Sequence, residues 1–187
     1  MRQARGERLA LFAECVLAGL LTLIAAVPLV TLLPALGAGC DHIAAHLDGR
    51  STALSAYPRR LLMSFRRGGL GLGALLVPVL GVLTLDLLAV RRGLPGAAPV
   101  AVICAAATIT LLVVVLRAAA VWRPGGPSWP VLLRDAAVRA RADPAGSLLL
   151  VGGLGMLIVC TWQLPPLVIP ALGCLLMGGV AVERRIS

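Results

Sequence analysis

Five stretches of the chain are apolar over membrane-crossing lengths, and this constrains the fold more than any other feature. A helix needs about twenty mainly apolar residues to cover about 30 Å of hydrocarbon. The stretches run from Leu9 to Leu33, Gly69 to Val90, Pro99 to Val121, Ser147 to Trp162 and Pro166 to Val182. Each is apolar on every face, as a helix in lipid is, rather than along one stripe. Of the 187 residues 59% are hydrophobic, above the roughly 45–50% of soluble domains. A small soluble domain could not hide that excess from water. The expected fold is all-α: a polytopic helical membrane protein with about five transmembrane helices plus two amphipathic interfacial helices, forming a single membrane domain over residues 1–187.

The formal charge of +9 comes from seventeen basic residues, all arginine. They fall in short groups between apolar stretches, not along one polar face. That pattern reads as a topology signal toward a lipid bilayer, not as a nucleic-acid surface. The absence of Asn excludes an N-glycosylation sequon, and the Arg, Ala, Gly and Leu bias points to a bacterium with GC-rich DNA. Cysteines at 15, 40, 104, 160 and 174 show no CxxC-like spacing, so they are read as small hydrophobes with no disulfide. Arg2, Arg5 and Arg8 before an apolar run imitate a signal sequence, and Leu36-Gly37-Ala38-Gly39-Cys40 imitates a lipoprotein site. A bulky aliphatic residue is expected where Gly37 stands, so the first segment is read as a retained helix.

Two connectors are amphipathic. In Leu54 to Arg67, Leu54, Tyr57, Leu61, Leu62 and Phe65 alternate with Arg59, Arg60, Arg66 and Arg67, a pattern that suits an anionic membrane face. Trp129 to Ala142 repeats the plan around Arg134, Arg139 and Arg141. Trp122, Trp129 and Trp162 fall near span ends, where indoles prefer the headgroup zone. Basic connectors are expected in the cytoplasm, together with the Glu183-Arg184-Arg185 tail, and the uncharged Gln163 to Pro166 turn outside. Five simple crossings then put the N-terminus outside, against the arginines at 2, 5 and 8. A re-entrant first segment resolves the conflict: a helix to about Ala26, a break near Pro28 or Pro34, and a partial return. The last two spans are expected as an antiparallel hairpin, with Gly152, Gly153, Gly155, Gly173, Gly178 and Gly179 available for close approach.

The run Val27-Pro28-Leu29-Val30-Thr31-Leu32-Leu33-Pro34-Ala35-Leu36, followed by a short helix and a basic segment ending Ser64-Phe65-Arg66-Arg67, resembles the YesL-like family of bacterial integral membrane proteins. So does the next span, Gly69 to Leu88, with Asp86 near its end. The resemblance covers about residues 10 to 90 and continues more weakly from Ser147 to Arg185. Some members occur beside carbohydrate uptake systems of the ATP-binding-cassette (ABC) type. It therefore implies an accessory role in sugar import, with ABC transporter permease or nucleotide-binding subunits as partners. Similar proteins are often aromatic-rich where this chain has Gly39-Cys40-Asp41-His42, and they commonly use Lys, so their aromatic contacts are not expected here.

Charges inside spans are costly and point to function. Glu14, Asp86 and Arg117 are the three candidates. Asp86 lies near Arg91 and Arg92, Arg117 is near a span end from which it can snorkel, and Glu14 sits deep enough to need a partner. The basic residues Arg59, Arg60, Arg66 and Arg67 are the candidate partner or lipid surface. Asp41, His42 and His46 come nearest to a metal site, since His42 and His46 share a helix face, yet a third clear ligand is missing. No nucleophile triad, kinase signature or phosphate loop is present, because Gly69-Leu70-Gly71-Leu72-Gly73 falls in a lipid-length helix. The reading is a non-catalytic accessory or assembly subunit of a bacterial membrane complex in the cell (plasma) membrane, with no cofactor, metal or catalytic residue. A partner-independent small-molecule carrier and a membrane-embedded enzyme are the alternatives.

Overall fold

The structure is a computed structural model and describes residues 2–50, 53–90 and 97–185. Its regular elements are all helical: α1 (Arg2–Ala26), α2 (Leu32–Leu47), α3 (Ala56–Ser64), α4 (Leu70–Val90), α5 (Ala97–Val121), α6 (Trp129–Ala142), α7 (Pro144–Gln163) and α8 (Val168–Arg184). Among the described residues, five helical segments are long and apolar enough to cross a membrane. Their outer faces keep large apolar side chains in the open, such as Val102 at 68% and Leu148 at 71% exposure, which a soluble monomer avoids over so wide an area. The chain is thus a multi-pass, all-α membrane protein.

The first apolar stretch is not one span. Pro28 is in extended conformation and has no N–H to continue the ladder, so α1 stops at Ala26 instead of reaching Leu33. A 3₁₀ turn, Leu29–Thr31, follows, and the Thr31 hydroxyl donates to the carbonyls of Ala25 and Pro28. The chain then returns as α2, buried from Leu33 through Ala45. Leu29 and Leu32 at the hairpin tip lie against Leu76 and Leu80 in the middle of α4, beside a cavity of about 420 Å³.

Helices α1 and α8 meet backbone to backbone. A Cβ on Gly19 would lie 2.2 Å from the Ile169 carbonyl oxygen, and one on Gly173 would lie 2.0 Å from that of Cys15. Small residues permit such approach in lipid, where packing drives association. The pairing of 15 with 173 and 19 with 169 makes α1 and α8 antiparallel, so α1 begins at the end of the bundle where α8 finishes. The return through α2 removes the conflict that five simple crossings create. Of the glycines expected to join α7 to α8, only Gly153 does so, a Cβ there lying 2.8 Å from Leu175 of α8; Gly173 packs on α1, Gly179 faces Leu116 and Ala120 of α5, and Gly152, Gly155 and Gly178 meet nothing within 4 Å.

Helices α3 and α6 share a plan. Each carries an aromatic residue followed by proline in its first turn, Tyr57-Pro58 and Trp129-Pro130, with the aromatic buried and the proline exposed. The Leu54 to Arg67 segment is not one amphipathic helix, because α3 stops at Ser64 and a wide turn over Phe65–Gly69 redirects the chain into α4. Gly68 takes φ +91° there, a conformation that favours glycine. Trp122 and Trp129 are not headgroup anchors. They stack with centroids 6.3 Å apart and are almost wholly buried, and Trp129 Nε1 donates to Ser64 Oγ at 3.1 Å. Trp122 Nε1, by contrast, is buried without a hydrogen-bond partner. Only Trp162, 86% exposed, has the placement expected of all three.

Candidate functional site

Charged residues of six segments converge at the end of the bundle where α2, α5 and α8 finish. On α2, residues 41 and 42 point about 100° apart, as one helical step requires, and so face different neighbours. His42 turns to α1, its Nε2 3.0 Å from Glu14 Oε2, and His46, one turn on, places Nδ1 3.7 Å from Glu14 Oε1. Asp41 turns the other way, with Arg60 Nε of α3 at 3.1 Å, Arg123 Nε after α5 at 3.7 Å and Arg50 Nη2 at 3.8 Å. The Asp41, His42 and His46 trio read from the sequence therefore splits between two sets of partners. Among the described residues, no group of three or more His, Cys, Asp or Glu could hold a metal ion.

Arg60 joins the two sets, its Nη1 lying 3.1 Å from His42 Nδ1. Guanidinium only donates, so Nδ1 accepts and the ring proton sits on Nε2, facing the Glu14 carboxylate. The result is a chain of carboxylate, imidazole, guanidinium and carboxylate across α1, α2 and α3. Asp41 is held within it by charge alone: both oxygens are buried and neither makes a hydrogen bond of normal geometry.

A second cluster is centred on Arg117. Its Nη1 donates to Glu183 Oε1 at 3.0 Å, and its Nη2 donates to Asp143 Oδ2 at 2.9 Å and to the Asp143 carbonyl at 3.0 Å. Arg117 is fully buried. The expectation that it snorkels to the interface is overturned because its partners come to it: α8 ends on Glu183, and Asp143 caps α7 by accepting from the Gly146 amide at 3.0 Å. That bond and the one from Arg117 hold the Asp143 carboxyl below the usual carboxylate range. Arg139 Nε approaches the other Glu183 oxygen at 2.8 Å. Arg184, the next residue, reaches back to Asp48 Oδ1 at 2.5 Å and couples the two clusters. Arg184, with Arg50, also lowers the Asp48 pKa.

Glu14 thus finds its partners in His42 and His46. Asp86 is exposed on α4, with Cys104 Sγ of α5 3.9 Å away, thirteen residues before Arg117 on that helix. Glu14 and Asp86 do not assemble into one site, and Arg91 and Arg92 lie outside the described residues. Arg59, Arg66 and Arg67 are exposed as expected of a contact surface, whereas Arg60 has turned inward. Sequence reading missed Asp143, Glu183, Arg123, Arg139 and Asp48. Only Asp143-Pro144 carried a local signal, as an N-cap followed by proline at the first helical position. No charged residue lines the cavities of about 420, 150, 500 and 580 Å³. No protein family, curated protein or solved structure matches the chain.

Proposed function

We propose that this membrane protein is a non-catalytic accessory or assembly subunit of a bacterial membrane complex. It sits in the plasma membrane with α3, α6 and both termini at the cytoplasmic face. One observation carries the reading. At a single end of the bundle the carboxylates Asp41, Asp143 and Glu183 are engaged by inward-turned arginines and Glu14 by His42 and His46, while Arg59, Arg66, Arg67, Arg134 and Arg141 stand exposed on and beside α3 and α6. The interior is held by its own ion pairs, and the outer arginines present a cationic face to anionic lipid and to acidic protein surfaces. Basic short loops are retained in the cytoplasm, which gives the orientation. The resemblance to the YesL-like family supplies the partner class, the permease or nucleotide-binding subunits of a carbohydrate ABC importer.

The test is crosslinking in native membranes, mild-detergent capture of the tagged chain and identification of co-purifying proteins by mass spectrometry. Stoichiometric recovery of importer subunits, lost in an Arg59→Glu/Arg66→Glu/Arg67→Glu variant that still folds, is the expected result. Recovery of the chain alone, or only with itself, would sink the reading.

A further inference from the structure

An apolar groove of about 500 Å³ runs along the surface between α7 and α8, walled by Leu149, Gly153, Met156 and Cys160 on one side and by Cys174 and Gly178 on the other. The α7 wall, Leu149 to Cys160, covers about 16 Å and the α8 wall, Leu167 to Val182, about 22 Å at 1.5 Å per residue. Val182 ends the α8 wall. One turn beyond it stands Arg185, its side chain 60% exposed and its Nη2 3.7 Å from Asp143 Oδ1 at the start of α7. Asp143 is already engaged by Arg117, and Glu183 by Arg117 and Arg139. Arg141, also exposed, lies two residues before Asp143. The mouth of the groove therefore holds more arginine than carboxylate.

We propose that the groove holds an acyl chain of an anionic phospholipid whose headgroup phosphate sits on Arg185, with Arg141 beside it. Three features select this occupant. The walls are apolar along their length, so the occupant is a hydrocarbon chain and not a free anion. The groove runs for about 16 to 22 Å, the reach of one acyl chain, whereas a partner helix would cross about 30 Å of hydrocarbon. The surplus cation at the mouth distinguishes an anionic headgroup from a zwitterionic one, since each arginine near the membrane surface adds about 1 kcal/mol of attraction, roughly fivefold in affinity. The site does not depend on any protein partner.

The experiment is native mass spectrometry of the full-length chain in neutral detergent. Dioleoyl phosphatidylglycerol and dioleoyl phosphatidylcholine are offered in equal amounts. The wild type should retain one phosphatidylglycerol in preference. Arg185→Gln and Arg141→Gln should each cut that preference roughly fivefold, and Arg185→Lys should keep most of it. Gly178→Leu, at a position where an added side chain meets nothing, should fill the groove and expel the lipid, while Gly178→Ala should not. Equal retention of both lipids by the wild type would overturn the proposal. So would a preference that survives Gly178→Leu, which would assign it to the arginines of α3 and α6, or a dimer that excludes lipid, which would assign the groove to a second copy.

Discussion

Asp41 and Arg117 are both buried charges at the same end of the bundle, and their surroundings are inverted. Asp41 is one carboxylate among three arginines at 3.1 to 3.8 Å, without an aligned hydrogen bond. Arg117 is one arginine between two carboxylates, with aligned bonds of 2.9 to 3.0 Å. A guanidinium offers donors in a planar fork, so a single Arg can satisfy two carboxylates at once. A carboxylate ringed by bulky guanidiniums satisfies none of them well. The arginines around Asp41 also reach water, with Arg50 47% and Arg123 33% exposed, whereas Glu183 beside Arg117 is only 7% exposed. The Arg117 cluster is accordingly a closed structural tie among α5, α7 and α8. The Asp41 cluster is an adjustable one, open to salt and to solvent.

The largest expected effect tests the closed cluster. Removing one partner of a buried pair leaves an uncompensated charge and costs about 3–5 kcal/mol. Arg117→Met should therefore lower the melting temperature sharply, followed by the reactivity of the buried thiols Cys15, Cys40 and Cys104. The double variant Arg117→Met/Glu183→Met should recover part of the loss, because the two buried charges leave together while the partners left behind, Asp143 and Arg139, reach water at 17% and 26% exposure. If Arg117→Met melts like the wild type, the two clusters do not differ as described.

Asp41→Asn should cost less, on the order of 1–3 kcal/mol, because Arg50 and Arg123 can turn to water. Its cost should shrink further between about 0.1 M and 1 M salt, as the Debye length falls from about 10 Å to about 3 Å, while that of Arg117→Met stays constant. Equal salt sensitivity would remove the distinction between open and closed clusters.

The smallest effect concerns acid. Asp143 and Asp48 have lowered folded pKa values, from the Gly146 amide and Arg117 in one case and from Arg184 and Arg50 in the other. A carboxyl lowered on folding contributes fully above its ordinary value of about 4 and loses that contribution as pH falls through the lowered folded value. Stability should therefore fall on acidification in that window, and Asp48→Asn/Asp143→Asn should flatten the fall. An unchanged acid limb in that variant would assign it to other groups.

The five long helices were legible because lipid imposes a length and an apolar composition that a sequence displays directly. Helix α6 was legible from its amphipathic period, and the break at Pro28 from the missing amide. α2 was harder to recognise, since Asp41, His42 and His46 interrupt its apolar run; its burial depends on Glu14 and Arg60, which arrive from other helices. Trp122 and Trp129 misled for the same reason, as an indole near a span end reads as an interface anchor until Gly37 and Gly69 are seen to make room for it. The sequence by itself determined that this chain is helical, multi-pass and basic at its connectors, because those properties follow from residue type and local period. Only the tertiary structure decided that Glu14 meets His42, that Arg117 meets Glu183 and Asp143, and that α1 and α8 begin and end together, because a long-range ion pair leaves no mark on the local pattern of either partner.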